Sequence, residues 1–147
     1  MSNLAPPRLI AVSSYAGALP FMVFGAGVFL AGTDFDIASG NIVRAYGAVI
    51  LSFIGGVQWG VIIGRHPVPS GPVLAGLFAS LSAWLALLTP LSLGLTILAV
   101  SFVLQFVADF YAIRRSLLPD WYLRLRTALT VTVATILLVT ALFSGLP

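Results

Sequence analysis

Between residues 73 and 112 the chain carries one charged side chain, Asp109, in a stretch that is otherwise almost wholly apolar. About 20 helical residues cross a hydrocarbon core, so this stretch is long enough to cross twice. Thr89-Pro90-Leu91-Ser92 supplies the break, because proline cannot continue a helix and forces the residue before it out of the helical region. The pattern predicts an antiparallel pair of membrane helices over residues 72–88 and 91–114. Composition points the same way. Hydrophobic residues make up 60% of the chain and charged residues 7%, against about a quarter charged in soluble domains.

Three further apolar runs, over residues 9–31, 42–64 and 121–143, complete the expectation. The fold class is all-α: a polytopic integral membrane protein, a five-transmembrane-helix bundle forming a single transmembrane domain over residues 1–147. The first run exceeds the core of a secretory signal, about 7–15 residues, and more spans follow, so it reads as a retained helix. Pro20 near its centre invites a kink. Residues 32–41 read as the longest polar loop on their side, with Ser39 or Asn41 capping the second helix. Pro67 and Pro69 stop that helix, and Pro72 suits the first turn of the third. Pro119 and Asp120 mark the start of the fifth, with Trp121 and Tyr122 at headgroup level.

Small residues recur along three of these helices. On the second, Ala48, Ser52, Gly56, Gly60 and Gly64 form one slowly drifting helix-packing stripe, which lets a neighbouring membrane helix approach closely. Ala75, Ala79, Ala83 and Ala86 line the third helix, and Thr127, Thr130, Ala134 and Ala141 the fifth. At about 100° per residue, Gln58 points roughly opposite Gly56. That second face is expected to meet the helix bearing Gln105 and Asp109.

Charge sets the orientation. The cations are seven Arg with no Lys. Arg8, Arg65, Arg114, Arg115, Arg124 and Arg126 fall on one side, and Arg44 on the other with Asp34 and Asp36. The positive-inside rule then places the N-terminus in the cytoplasm and the C-terminus outside. Arg114, Arg115, Arg124 and Arg126 read as a headgroup or topology cluster able to attract anionic lipid. Arg44 reads as a snorkelling side chain, or as a partner of Asp34 or Asp36.

Few residues could carry chemistry. The chain has no Cys and one His, and no Glu, so neither a conventional protein metal site nor a cofactor is expected. A carboxylate at membrane depth tends to be paired or functional, which makes Asp109 the first candidate. The plainer reading is an ion pair with Arg65, Arg124 or Arg126. Gln105 lies one turn deeper on the same face. It could hydrogen-bond Gln58 across the bundle and fix helix register, or Gln58, Gln105 and Asp109 could line one polar path open to the cytoplasmic side. His66 abuts Arg65 in an exposed turn and reads as a solvated loop histidine. Trp59 and Tyr46 read as core or interfacial aromatics. Gly55, Gly56 and Gly60 lie within an apolar span without a following Lys, so they do not make a phosphate loop.

Residues 46–60, YGAVILSFIGGVQWG, together with Asp109 near the end of the fourth span and PDWYLRLRTALT over residues 119–130, resemble the transmembrane protein 69 family, also called domain of unknown function 3429. The resemblance covers nearly the whole chain. It implies a membrane protein of bacteria or mitochondria and brings no activity, catalytic residue or ligand. Two roles follow from the residues. One is a non-enzymatic scaffold or accessory subunit, docking a membrane-protein partner or a second copy through its small-residue faces. The other is a small transport or permeation protein using Gln58, Gln105 and Asp109. The lipid bilayer is the expected environment, with a bacterial inner membrane as the expected residence, and nucleic acid is not an expected partner.

Overall fold

A proline ring collides with the carbonyl four residues before it, so Pro20 opposes helix continuation past Ala16. In the computed structural model, which describes residues 6–30 and 33–144, α1 (Arg8–Ala16) ends at that residue. It gives way to α2 (Leu19–Leu30) after the turn at Gly17 and Ala18. The expected kink is therefore a full break. Tyr46 closes it from across the bundle, donating its hydroxyl to the Gly17 carbonyl at 3.0 Å. Removing that hydroxyl with Tyr46→Phe should cost about 1 kcal/mol, the usual worth of such a bond. Equilibrium unfolding in detergent would measure it.

The chain continues as α3 (Thr33–Gly60), α4 (Ser70–Leu88), α5 (Leu91–Arg114) and α6 (Asp120–Phe143). Among the described residues, five segments are long and apolar enough to cross a membrane: Arg8–Val28, Ile37–Gly60, Ser70–Leu88, Leu91–Arg114 and Asp120–Phe143. The described residues contain no strand. Two expectations around α3 are corrected. Residues 33–41 are helix rather than polar loop. The stretch holds no proline, and Asn41 donates to the Ile37 carbonyl at 2.9 Å, reinforcing the helix from inside instead of capping it. Ser39 is buried. The helix also ends at Gly60 rather than Gly64, unwinding through a turn in which Trp59 O accepts from both Ile62 and Ile63.

The turn after α5 is closed by a residue type that gives little warning. Ser116 adopts a left-handed φ of 55°. Its N–H bonds Ile113 O at 2.8 Å, and the N–H of Leu117 bonds Ala112 O at 2.9 Å. Those two bonds are the Schellman arrangement, with a serine where glycine is commoner.

Helix α3 is the hub, touching α2, α4, α5 and α6. Phe21, Leu51, Leu95, Leu98, Phe102 and Leu137 fill the space between these helices and are fully buried. Phe21 meets Phe102 edge-on with ring centroids 6.2 Å apart. A second, smaller apolar cluster, built on Ala112, Ile113 and Leu118, plugs the end of the bundle near the α5–α6 turn.

The glycines that bring α3 against α4 are not those of the four-residue stripe. A Cβ on Gly55 would lie 2.8 Å from the Ala79 Cβ and 3.0 Å from the Gly76 carbonyl oxygen. Gly56, Gly60 and Gly64 have nothing within 4 Å. The reason is helical drift. Each four-residue step turns about 40° past a full revolution, so a stripe that starts inward at Ala48 has swung outward within a few turns, whereas a seven-residue step drifts only about 20° the other way. Ala48, Gly55 and Ile62 hold the inner seam. On α4, Ala79, Ala83 and Ala86 are buried as the small-residue pattern suggests.

At the opposite end, Arg44 neither snorkels nor reaches a described acid. The side chains of Asp34 and Asp36 lie outside the described residues. The guanidinium donates Nη1 to Thr89 O at 2.7 Å and Nη2 to Asn41 Oδ1 at 2.9 Å. Thr89 caps the C-terminus of α4, where carbonyls lack helical partners and a cation is favoured. Gly94 leaves the room: a Cβ there would meet the Arg44 Cδ at 2.9 Å.

Candidate functional site

Heptad-like spacing puts polar residues into the middle of this apolar interior. The buried seam of α5 runs through Leu95, Leu98, Phe102, Gln105, Asp109 and Ala112, steps of three and four that keep one face inward. On α6 the equivalent seam is Arg126, Thr130, Val133, Leu137 and Thr140. Gln58 stands seven residues after Leu51 on the inner side of α3, and both are fully buried. Three helices thus bring Gln58, Gln105, Asp109 and Arg126 together.

Asp109 is the centre. Its Oδ1 accepts from Gln58 Nε2 at 2.6 Å, and its Oδ2 accepts from Arg126 Nε at 2.6 Å. Asp109 is 0% exposed and Arg126 3%. The main core packs on one side of the pair and the Ala112–Ile113–Leu118 plug on the other, which is how a residue so near the end of α5 is sealed from the surface. Buried charges persist only when paired and hydrogen-bonded. Here both carboxylate oxygens are used and the pair is neutral overall.

The cluster is not saturated. Gln58 Oε1, Arg126 Nη2, both amide atoms of Gln105 and Thr130 Oγ1 are buried without hydrogen-bond partners. Gln105 lies beside the Asp109 carboxylate, but its amide completes no hydrogen bond with it or with Gln58. The Tyr122 ring brings its hydroxyl within electrostatic reach of both Asp109 and Arg126. Cavities touch the cluster from two directions. One, of about 270 Å³, is lined by Gln58, Ala75, Tyr111 and Arg115 among others. The other is a groove of about 620 Å³ between α1, α3 and α6, in which Arg126 is the charged residue.

Of the residues singled out from sequence, Gln58 and Asp109 are joined directly, and Gln105 is adjacent but unbonded. The counter-ion of Asp109 is Arg126, one of the three arginines expected for that ion pair, which corrects its other reading as a headgroup residue. Six residues into α6, it points inward to the carboxylate rather than out to lipid. The inward steps from Arg126 through Thr130, Val133 and Leu137 are the sequence signal that places it there. Arg114, Arg115 and Arg124 are exposed, as is His66. Trp59 donates Nε1 to the Val73 carbonyl at 3.1 Å, tying α3 to the first turn of α4. Among the described residues, no three His, Cys, Asp or Glu side chains gather as a metal site. The cluster can donate and accept hydrogen bonds and can hold one buried charge pair.

A family described as a protein of unknown function, DUF3429, matches residues 6–142. No curated protein and no solved structure matches the chain.

Proposed function

The chain belongs to the DUF3429 family, and from that premise, which supplies no activity, we propose a non-enzymatic role as a scaffold or accessory subunit in a membrane. The supporting observation is the outer face of α3. Val49 and Phe53 are exposed there, with Ile63 exposed in the turn just beyond it, and a Cβ added to Gly56 or Gly60 would meet no side chain or other helix within 4 Å. Spacing of four and three residues makes this a second heptad seam with a glycine floor, suited to a close-packed partner helix. The partner is a different membrane protein or a second copy.

The finer reading keeps the N-terminus in the cytoplasm, the C-terminus outside and a bacterial inner membrane as the residence. With Arg126 removed from the count, Arg still favours one side by five to one. Likeness to the transmembrane protein 69 family belongs to the same reading.

Crosslinking and native mass spectrometry in lipid nanodiscs test the scaffold role. Wild type should associate, and Gly56→Leu with Gly60→Leu should weaken association at least about tenfold, or about 1.4 kcal/mol, with unchanged unfolding. A strictly monomeric wild type without a reproducible partner would sink the proposal.

Permeation through Gln58, Gln105 and Asp109 has one observation in its favour: the unpartnered amides beside a cavity. It has less support, because Phe21, Leu51, Leu98 and Phe102 fill the core beyond the cluster. Vesicle flux that falls with Asp109→Asn would revive it.

A further inference from the structure

Arg126 has a nitrogen that its ion pair does not use. Asp109 spends one oxygen on Arg126 Nε and the other on Gln58, while Arg126 Nη2 is buried without an acceptor. Leaving a buried donor unmade is costly, more so on a charged group. The residue also lines the 620 Å³ groove, a volume within the range of about 300–1,000 Å³ typical of small-molecule sites.

The groove is amphipathic along its length. It follows α6 from Pro119 to Val133, about 20 Å at 1.5 Å per residue. Beyond Arg126 its walls include Phe21, Ile50, Phe102, Leu129 and Val133. Level with Arg126 and nearer the end of the bundle they include Ser13, Ser14, Trp121 and Tyr122. Helices α1 and α6 touch and both begin at this end, so Ser13, Ser14 and Arg126 lie at similar depth, about 9 Å in. Exposed Arg8 opens α1, nearer the surface.

We propose that this groove holds one bilayer phospholipid, an acyl chain lying along the apolar half and an ester carbonyl oxygen accepting from the Arg126 guanidinium. The phosphate then falls at the level of Arg8. Charge balance chooses the acceptor: the Asp109–Arg126 pair is neutral, so a carboxylate or phosphate drawn to this depth would bring an uncompensated buried charge, and an ester carbonyl brings none. A docked helix is a poorer occupant, since its backbone carbonyls within a membrane are already satisfied by its own N–H groups. The groove shares Phe53 with the outer face of α3 but includes neither Gly56 nor Gly60.

The test compares palmitoyl-oleoyl phosphatidylglycerol with its ether-linked analogue, which lacks the ester carbonyls. Native mass spectrometry of detergent-purified wild type should show one retained ester lipid per chain, held about tenfold more tightly than the ether lipid. Ser14→Trp with Leu129→Trp fills the groove without touching the ion pair and should abolish retention. Equal affinity for ester and ether lipids, tighter binding of free oleate, undiminished retention in the filled variant, or no retained lipid in wild type would each overturn the proposal. The ether-lipid comparison uses wild type alone, so it decides the matter even if the filled variant fails to fold.

Discussion

Arg126→Met should cost the bundle about 3–5 kcal/mol, because it strands the Asp109 carboxylate in a dry interior with only Gln58 to bond it. The loss is read as a fall in the unfolding midpoint in mild detergent, or as failure to accumulate in the membrane. Asp109→Leu should be comparably damaging, since it strands the guanidinium instead. The double variant, Asp109→Leu with Arg126→Met, should recover most of the loss, as apolar replacements of buried ion pairs often do. A double variant as unstable as the sum of the singles would show that the two side chains do not act as a pair. The complete cycle therefore separates the cost of a stranded charge from the worth of the interaction.

Adjacent glycines on α3 should respond in opposite ways. At Gly55 any side chain meets Ala79 Cβ closer than real contacts allow and crowds the Gly76 carbonyl, so Gly55→Val should push α4 away and cost about 1–3 kcal/mol, the usual range for overpacking. At Gly56 there is open space, and Gly56→Ala should be neutral or gain up to about 1 kcal/mol from helix propensity. Unfolding of the two purified variants side by side is a direct measurement. Equal losses at both positions would mean that α3 is rotated from the orientation described.

How much was legible from sequence depends on how local the signal is. Proline at 90 and 119 acts on its immediate neighbours, so the starts of α5 at Leu91 and α6 at Asp120 could be read within a residue or so. The break between α1 and α2 needed the clash four residues back from Pro20, not the proline position itself. Residues 33–41 look like a loop by composition, but polar side chains there can bond back onto the helix, as Asn41 does. The small-residue stripe does not mark the contact with α4, because spacing by four drifts off the inner face, whereas that contact follows the seven-residue repeat through Ala48 and Gly55. Gln58 and Asp109 could be foreseen as neighbours because polar atoms in an apolar helix seek one another. Arg126 could not be assigned by counting charges per loop, which treats every Arg near a helix end as outside. Only its place on the seam with Thr130, Val133 and Leu137 distinguishes it from Arg124.

The Arg44 guanidinium at Thr89 has a mechanical consequence. Helix α3 is fastened partway along, at Arg44, to the turn between α4 and α5, and near its C-terminal end, through Gln58, to α5 itself. A helix held at a single point can pivot, and one held by apolar contacts alone can ratchet by a turn of about 5.4 Å. With the bond from Trp59 to Val73 O, three polar fastenings at two levels oppose both movements. Sliding of α3 against the α4–α5 hairpin therefore requires these hydrogen bonds to break in the same movement.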